Sequence, residues 1–333
     1  MMGFEKVAEV WRGSIVESVH FGVAAVANAD GEIVHGWGDP SVVTYPRSAL
    51  KPVQAIALVE TGAHRAFGLE ARHLALACAS HHGEPIHVDL VERWLEALGL
   101  GETALACGPD YPINAEAAHA LIRAGKDRSR VYHNCSGKHC GFLSVALHMG
   151  WDTDGYADPG HPAQQLYLDA LTDLLGRDAR SLAFGVDQCT LPSAALSVGD
   201  MAVVMARFAA ARASSPDREA AIRTIHEAAR GYPRYMSGTG QPNERLIEAT
   251  NGRVIVKTGA EGFLAAFAPD DGLGIALKIA DGSSRARTVA FLALLGELKL
   301  LDSVAAGRLD GMFEEAIVDS TGEVVGHVRP YQP

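Results

Sequence analysis

The sequence predicts an α+β fold, an antiparallel sheet built from both chain ends with a helical region inserted between them. Three observations carry this. The first forty residues and those after about 251 hold the apolar, β-branched runs of strands. The stretch between shows helical periodicity through most of its length. The chain also lacks the strand and helix alternation and the glycine fingerprint of a dinucleotide-binding fold. Residues 1–333 read as one unit, with 1–45 and 251–333 supplying the sheet and 46–250 mainly helical.

Taken in order, His20 to Ala27 is apolar and ends in Asn28-Ala29-Asp30-Gly31, a hairpin turn, before Glu32 to Trp37. After Tyr45-Pro46-Arg47, the run from Ala49 to Val59 is apolar on almost every side and predicts a buried helix. Pro52 is tolerated only in a first turn, so that helix must begin close to Ser48. Further helices are predicted at 86–98, 114–124, 140–149, 161–175, 193–211 and 216–230. Strands return at 253–257, 262–267 and 273–279, with Asp270-Asp271-Gly272 as one turn. A helix over 283–301 follows, then a hairpin of 315–319 and 323–328 closed at Ser320-Thr321-Gly322.

At 48% hydrophobic and 21% charged, 333 residues form an ordinary globular chain with a large core. A net charge of −11 argues against a nucleic-acid partner, which needs a basic surface. Residues 1–13 have no apolar segment of signal-peptide type, and 288–301 is broken by Glu297 and Lys299, so no membrane span is predicted and a cytoplasmic protein is expected. Five cysteines at irregular spacing do not form a disulfide framework and fit a reducing compartment.

Chemistry enters with Ser48-Ala-Leu-Lys51 and Lys257-Thr-Gly259. Ser-x-x-Lys alone is common by chance, and a helix cap with a surface lysine explains it as well as catalysis does. The ordered pair is rarer. In penicillin-recognising enzymes the first motif presents a serine nucleophile at a helix start, and Lys-Thr-Gly lies on a facing strand. Here Ser48 falls at a predicted helix N-terminus, where the helix dipole favours an oxyanion, and Lys51 lies on the same face. Lys257 ends a β-branched run, and Gly259 lets a ligand approach the backbone. A second cluster, His133-Asn-Cys135-Ser-Gly-Lys138-His139-Cys140, holds five potential ligands in eight residues, with Asp187 and Cys189 far off in sequence. Its spacing matches no standard zinc knuckle, and the residues leave two readings open: metal ligands, or cysteines packed as small apolar side chains.

These residues resemble a known family, the rhizobial-type (class 3, asparaginase II family) L-asparaginases, whose fold is similar to serine β-lactamases. The likeness spans the chain and rests on Tyr45-Pro-Arg-Ser-Ala-Leu-Lys-Pro-Val-Gln54, Ala79-Ser-His-His-Gly-Glu84, His133-Asn-Cys-Ser-Gly-Lys-His139, Gly185-Val-Asp-Gln-Cys189 and Val256-Lys-Thr-Gly259. It implies hydrolysis of the L-asparagine side-chain amide to aspartate and ammonia. Ser48 is then the nucleophile and Lys51 the base, with burial and the neighbouring Lys257 favouring its neutral form. Ser80 and Lys257 pass a proton to the departing ammonia. The Ser-x-Asn element of β-lactamases is missing, and Ser80 would have to take its place; a satisfied core hydroxyl after the apolar 73–79 stretch is the lesser alternative for Ser80. The resemblance further implies zinc held by Cys135, Lys138 and Cys189, with Asp187 close by, and a homodimer. Arg47 and His139, each beside a site residue, are candidates for the substrate α-carboxylate. The rivals are a glutaminase, a β-lactam or peptide hydrolase using the same serine and lysines, and last a non-enzymatic zinc-binding protein.

Overall fold

The computed structural model describes residues 3–332. Contacts divide the chain into two compact units, Met1–Ala49 with Leu196–Ala210 and Arg245–Pro333, and Leu50–Ala195 with Ala211–Glu244.

The first unit is the sheet. Its strands are β1 Glu5–Arg12, β2 Ile15–Asn28, β3 Ile33–Trp37, β4 Ile255–Thr258, β5 Phe263–Ala268, β6 Leu273–Ile279, β7 Glu315–Val318 and β8 Val324–Pro330. They pair antiparallel in the order β7-β8-β1-β2-β6-β5-β4, with β3 also on β2, so the two chain ends interleave as predicted. The predicted turn at 28–31 closes β2 onto β3, with Gly31 at φ 93°. Val23 to Ala27 of β2 and Ile275 to Leu277 of β6 are buried without alternation, which requires cover on both faces. Helix Val198–Ala209 supplies one layer on β2, β5 and β6, with Phe208 edge-on to Phe267 at 4.9 Å. Helix Ser284–Glu297 packs on β1, β6 and β8. Sequence order placed residues 198–209 with the helical middle, whereas the sheet claims them, because their wide apolar face finds the uncovered central strands.

The second unit is helical. Its main helices are Ile56–Glu60, Ala71–Ala77, Pro85–Ala97, Ala115–Arg123, Ser136–His148, Pro162–Leu175 and Pro216–Gly231. Three open with proline, whose missing amide hydrogen costs nothing in a first turn. Residues Ser136 to Ala146 are buried on every side, making Ser136–His148 the central helix. Gly137 is required there: a Cβ would run into the backbone of Leu76, so only glycine lets this helix meet Ala71–Ala77. Among the described residues no helix is long and apolar enough to cross a membrane.

Candidate active site

The sheet unit holds Ser48 and the Lys257-Thr-Gly259 motif, while Lys51 belongs to the helical unit. Gly259, just past β4, abuts the chain leading to Ser48 so closely that a Cβ there would strike the Pro46 carbonyl oxygen. Arg287 donates to the Gly259 carbonyl at 3.2 Å. Lys257 is buried on β4, and its Nζ donates to the Thr258 carbonyl at 2.7 Å. Around Ser48 the structure departs from the single helix expected. Arg47–Leu50 forms a 3-10 turn, followed by the short helices Lys51–Gln54 and Ile56–Glu60. Pro52 has no amide hydrogen to give Ser48, so the α ladder starts only after it, and Ser48 sits in the tighter turn. Arg47 precedes it at φ 52°, a left-handed conformation that costs a non-glycine residue about 1 kcal/mol or more. Backbone strain of this kind clusters at functional turns.

In the helical unit Lys51 has no exposed surface. Its Nζ donates to the Ala79 carbonyl and lies 3.0 Å from Ser80 Oγ and 3.1 Å from Cys135 Sγ. A buried amine among three acceptors is held in one place. Ser80 is held from both sides. Its amide donates to the Met236 carbonyl at 3.2 Å, His81 N–H to the Asn134 carbonyl at 3.1 Å and His82 N–H to the Ser237 carbonyl at 2.8 Å. His81 is a buttress. Its Nδ1 accepts from Gly83 N–H, leaving Nε2–H to donate to Ser136 Oγ at 2.8 Å, and Ser136 donates on to the Val131 carbonyl. Burial pushes the imidazole well below its ordinary pKa, in keeping with this neutral tautomer.

Glu84 closes the same loop. Its carboxylate accepts from Thr239 N–H at 2.7 Å and Thr239 Oγ1 at 2.6 Å, with Arg234 at 3.5 Å. Burial raises the carboxyl's pKa, but the Thr239 bonds, His87 and Arg234 outweigh it and hold it below 4.5. A folded value below the unfolded one means this stabilisation is complete above 4.5 and disappears as pH falls through the lower folded value. Glu84→Gln is expected to cost about 1–3 kcal/mol at neutral pH and to flatten the acid side of the thermal-stability profile. Parallel acid limbs for the two proteins would refute the assignment.

The cysteine cluster forms within the helical unit. Cys135 immediately precedes helix Ser136–His148, and Lys138, three residues on, faces the same way. Cys189 arrives from a small hairpin, Phe184–Val186 paired with Pro192–Ala194, whose tight tip includes Thr190 at φ 78°. Lys138 Nζ lies 3.0 Å from Cys189 Sγ, and Cys135 Sγ lies 3.0 Å from Asn134 Oδ1. Cys189 draws the Cys135 pKa well below that of a free thiol against the effect of burial, with Lys51 and Lys138 acting in the same direction, while Cys135 and burial raise that of Cys189. Burial lowers the pKa of Lys138, yet Cys189, Cys135 and Asp187 more than reverse this and raise it. Asp187 anchors the hairpin tip by accepting from Gln188 N–H at 2.8 Å.

His139 is fully buried. Tyr156 OH accepts from Ala106 N–H at 2.8 Å and pairs with His139 Nδ1 at 2.6 Å; in the tautomer where the phenol donates, His139 Nε2–H has no hydrogen-bond partner among the described residues. Burial holds the ring neutral, so His139 offers a donor but no charge. Arg47 is half-buried on its strained turn. Tyr156 and Glu84 carried no role in the sequence expectations, and His81 stood only as a residue lining the cleft beside Ser80; His81 and Glu84 both lie inside the Ser80-His-His-Gly-Glu84 run, the one local signal that could have pointed to them.

A family model described as L-asparaginase II matches residues 8–330. No curated protein matches the chain. Among solved structures, a β-lactamase from Mycobacterium bovis is similar at 17% identity and TM-score 0.45, covering 83% of this chain and 94% of that one. A class C β-lactamase from Rhodobacter sphaeroides is similar at 15% and 0.41, covering 84% and 94%. A D-alanine carboxypeptidase from Burkholderia cenocepacia is similar at 13% and 0.40, covering 83% and 93%. These likenesses concern the fold alone.

Proposed function

Because the chain belongs to the L-asparaginase II family, whose members are amidohydrolases, we propose that it hydrolyses the side-chain amide of L-asparagine through an acyl-enzyme on Ser48. The observation that carries the mechanism is the buried Lys51 amine, 3.0 Å from Ser80 Oγ and three residues beyond Ser48. Ser48 Oγ attacks the amide carbon as its proton passes to neutral Lys51. The tetrahedral adduct collapses, the C–N bond breaks, and the proton returns through Ser80 to the departing nitrogen, so ammonia leaves. Water then cleaves the ester by the same route in reverse, giving aspartate. Lys257, buried on β4 two residues before Gly259, is the remaining lysine of this reading. For the α-carboxylate the donors are Arg47 and the unpartnered His139 Nε2–H, the latter a directional neutral contact.

Substrate choice is tested by ammonia release at matched concentrations of L-asparagine and L-glutamine. One methylene is worth about 10- to 200-fold in a fitted pocket, so asparagine is expected to lead by at least about tenfold. Equal rates would make the protein a glutaminase as well. Release from neither would favour a β-lactam or peptide amide.

The donor set of Cys135, Lys138 and Cys189 fits zinc, which takes sulfur and nitrogen ligands and keeps one position open in sites that meet substrate. Among the described residues there is no group of three His, Cys, Asp or Glu placed for a metal, so the lysine is needed to complete this set. Zinc would supply a Lewis acid near the substrate. Cys189 and Lys138 must both lose protons to bind it, so zinc affinity should rise with pH. Serine and lysine already furnish nucleophile and base, and the metal's part is to position substrate. Chelation is therefore expected to raise KM several-fold more than it lowers kcat, measured by steady-state kinetics before and after dialysis against a chelator. An equal collapse of kcat at saturating asparagine would reverse this division. A cytoplasmic homodimer belongs to the same reading, checked by sedimentation.

A further inference from the structure

A small cavity of about 10 Å³ lies inside the helical unit, bordered by Gln54, Leu58, Ala77, Lys138, Gly141 and Phe142. That is room for about one water molecule. Gln54 and Lys138 are its only polar borders, the remainder being apolar. Gln54 is buried, and its amide oxygen has no hydrogen-bond partner. An orphaned amide oxygen inside a protein costs about 1–3 kcal/mol, and the residue that carries it borders a water-sized space that Lys138 borders as well. Lys138 has three N–H donors as an ammonium and two as a neutral amine, and among the described residues its one hydrogen bond is to Cys189 Sγ at 3.0 Å. A water seated in the cavity accepts from Lys138 and donates to Gln54 Oε1, satisfying both.

We infer that Gln54, through this one buried water, is the residue that aims the Lys138 amine at the sulfurs of Cys135 and Cys189. The inference rests on the zinc reading for its functional consequence, not for the bridge itself. A metal-bound lysine amine turns its lone pair to the metal and its hydrogens away, and an acceptor behind it fixes that orientation. Groups that orient metal ligands in this way are typically worth about 10- to 100-fold in metal affinity.

Two measurements on the whole protein decide it. In crystals of the metal-free wild type at high resolution, a water is expected within about 2.6–3.3 Å of both Gln54 Oε1 and Lys138 Nζ. In Gln54→Met, which keeps the volume and removes the acceptor, that water should be lost and the Lys138 amine should leave Cys189. Zinc affinity, read by competition with a chromophoric chelator, should fall about tenfold or more in the variant. An empty cavity in the wild type overturns the bridge. Lys138 unmoved in Gln54→Met, or zinc affinity within about twofold of wild type, overturns the positioning role. If the wild type takes up no zinc, the zinc reading fails by itself, and the water and the Lys138 position still decide this inference.

Discussion

Ser48→Ala is expected to abolish ammonia release from L-asparagine, with kcat falling by about 10³-fold or more, as when a nucleophile that acts as a unit with its base is removed. The side chain lost is one oxygen, at a position that is neither a core contact nor a helix cap in the structure, so thermal stability should change by less than about 1 kcal/mol. Activity lost with the fold intact therefore separates a chemical role from a structural one. The left-handed Arg47 at φ 52° and the close approach of Gly259 to Pro46 show a turn held in an unfavourable conformation. Such a conformation persists only where the surroundings enforce it. If the variant turns over asparagine at the wild-type rate, Ser48 is not the nucleophile, and the acyl-enzyme is discarded. Single-turnover quenching sharpens the result: an aspartyl group should accumulate on wild-type protein at low pH and never on the variant.

Residue pattern alone disclosed the interleaved sheet because each strand carries its own signal: β-branched runs, and turns such as Asn28-Ala-Asp-Gly31 that fix register locally. The position of Val198–Ala209 was less legible. Its apolar face suits either a helical bundle or a sheet, and only the doubly buried strands β2 and β6 decide the matter. The local shape at Ser48 was half legible. Pro52 announced where an α ladder must start, whereas the 3-10 turn before it and the left-handed Arg47 depend on neighbours distant in sequence. Side-chain partnerships were the least visible. Glu70 and Glu84 each open a helix by reciprocal bonds with His73 and His87 three residues on, at 3.0 and 3.2 Å from glutamate amide to imidazole. This is a capping box written in glutamate and histidine, which the usual serine or threonine signature does not flag. Nor does any spacing announce that Lys51, Ser80 and Cys135 converge, since the chain separations are long and the meeting is made by the packing of Ser136–His148 against Ala71–Ala77.

That convergence sets the second large effect. Lys51→Met is expected to lower kcat for asparagine by about 10³-fold or more, comparable to the loss of the serine, because nucleophile and base act together. A rival explanation is that Lys51 is only the counter-ion of the Cys135 thiolate, 3.1 Å away. Lys51→Arg separates the two. A guanidinium keeps the positive charge and its donors but cannot lose a proton at accessible pH, so a counter-ion role predicts that arginine restores activity, whereas a base role predicts that it does not. Should arginine crowd the site, Lys51→Ala with added primary amines gives an independent reading. Rescue that strengthens with the basicity of the amine identifies a proton acceptor, and a small cation that restored only stability would leave the counter-ion as its whole role. The contact to Ser80 Oγ at 3.0 Å makes the first outcome the expected one, because a counter-ion for Cys135 has no need of a serine hydroxyl at the same nitrogen.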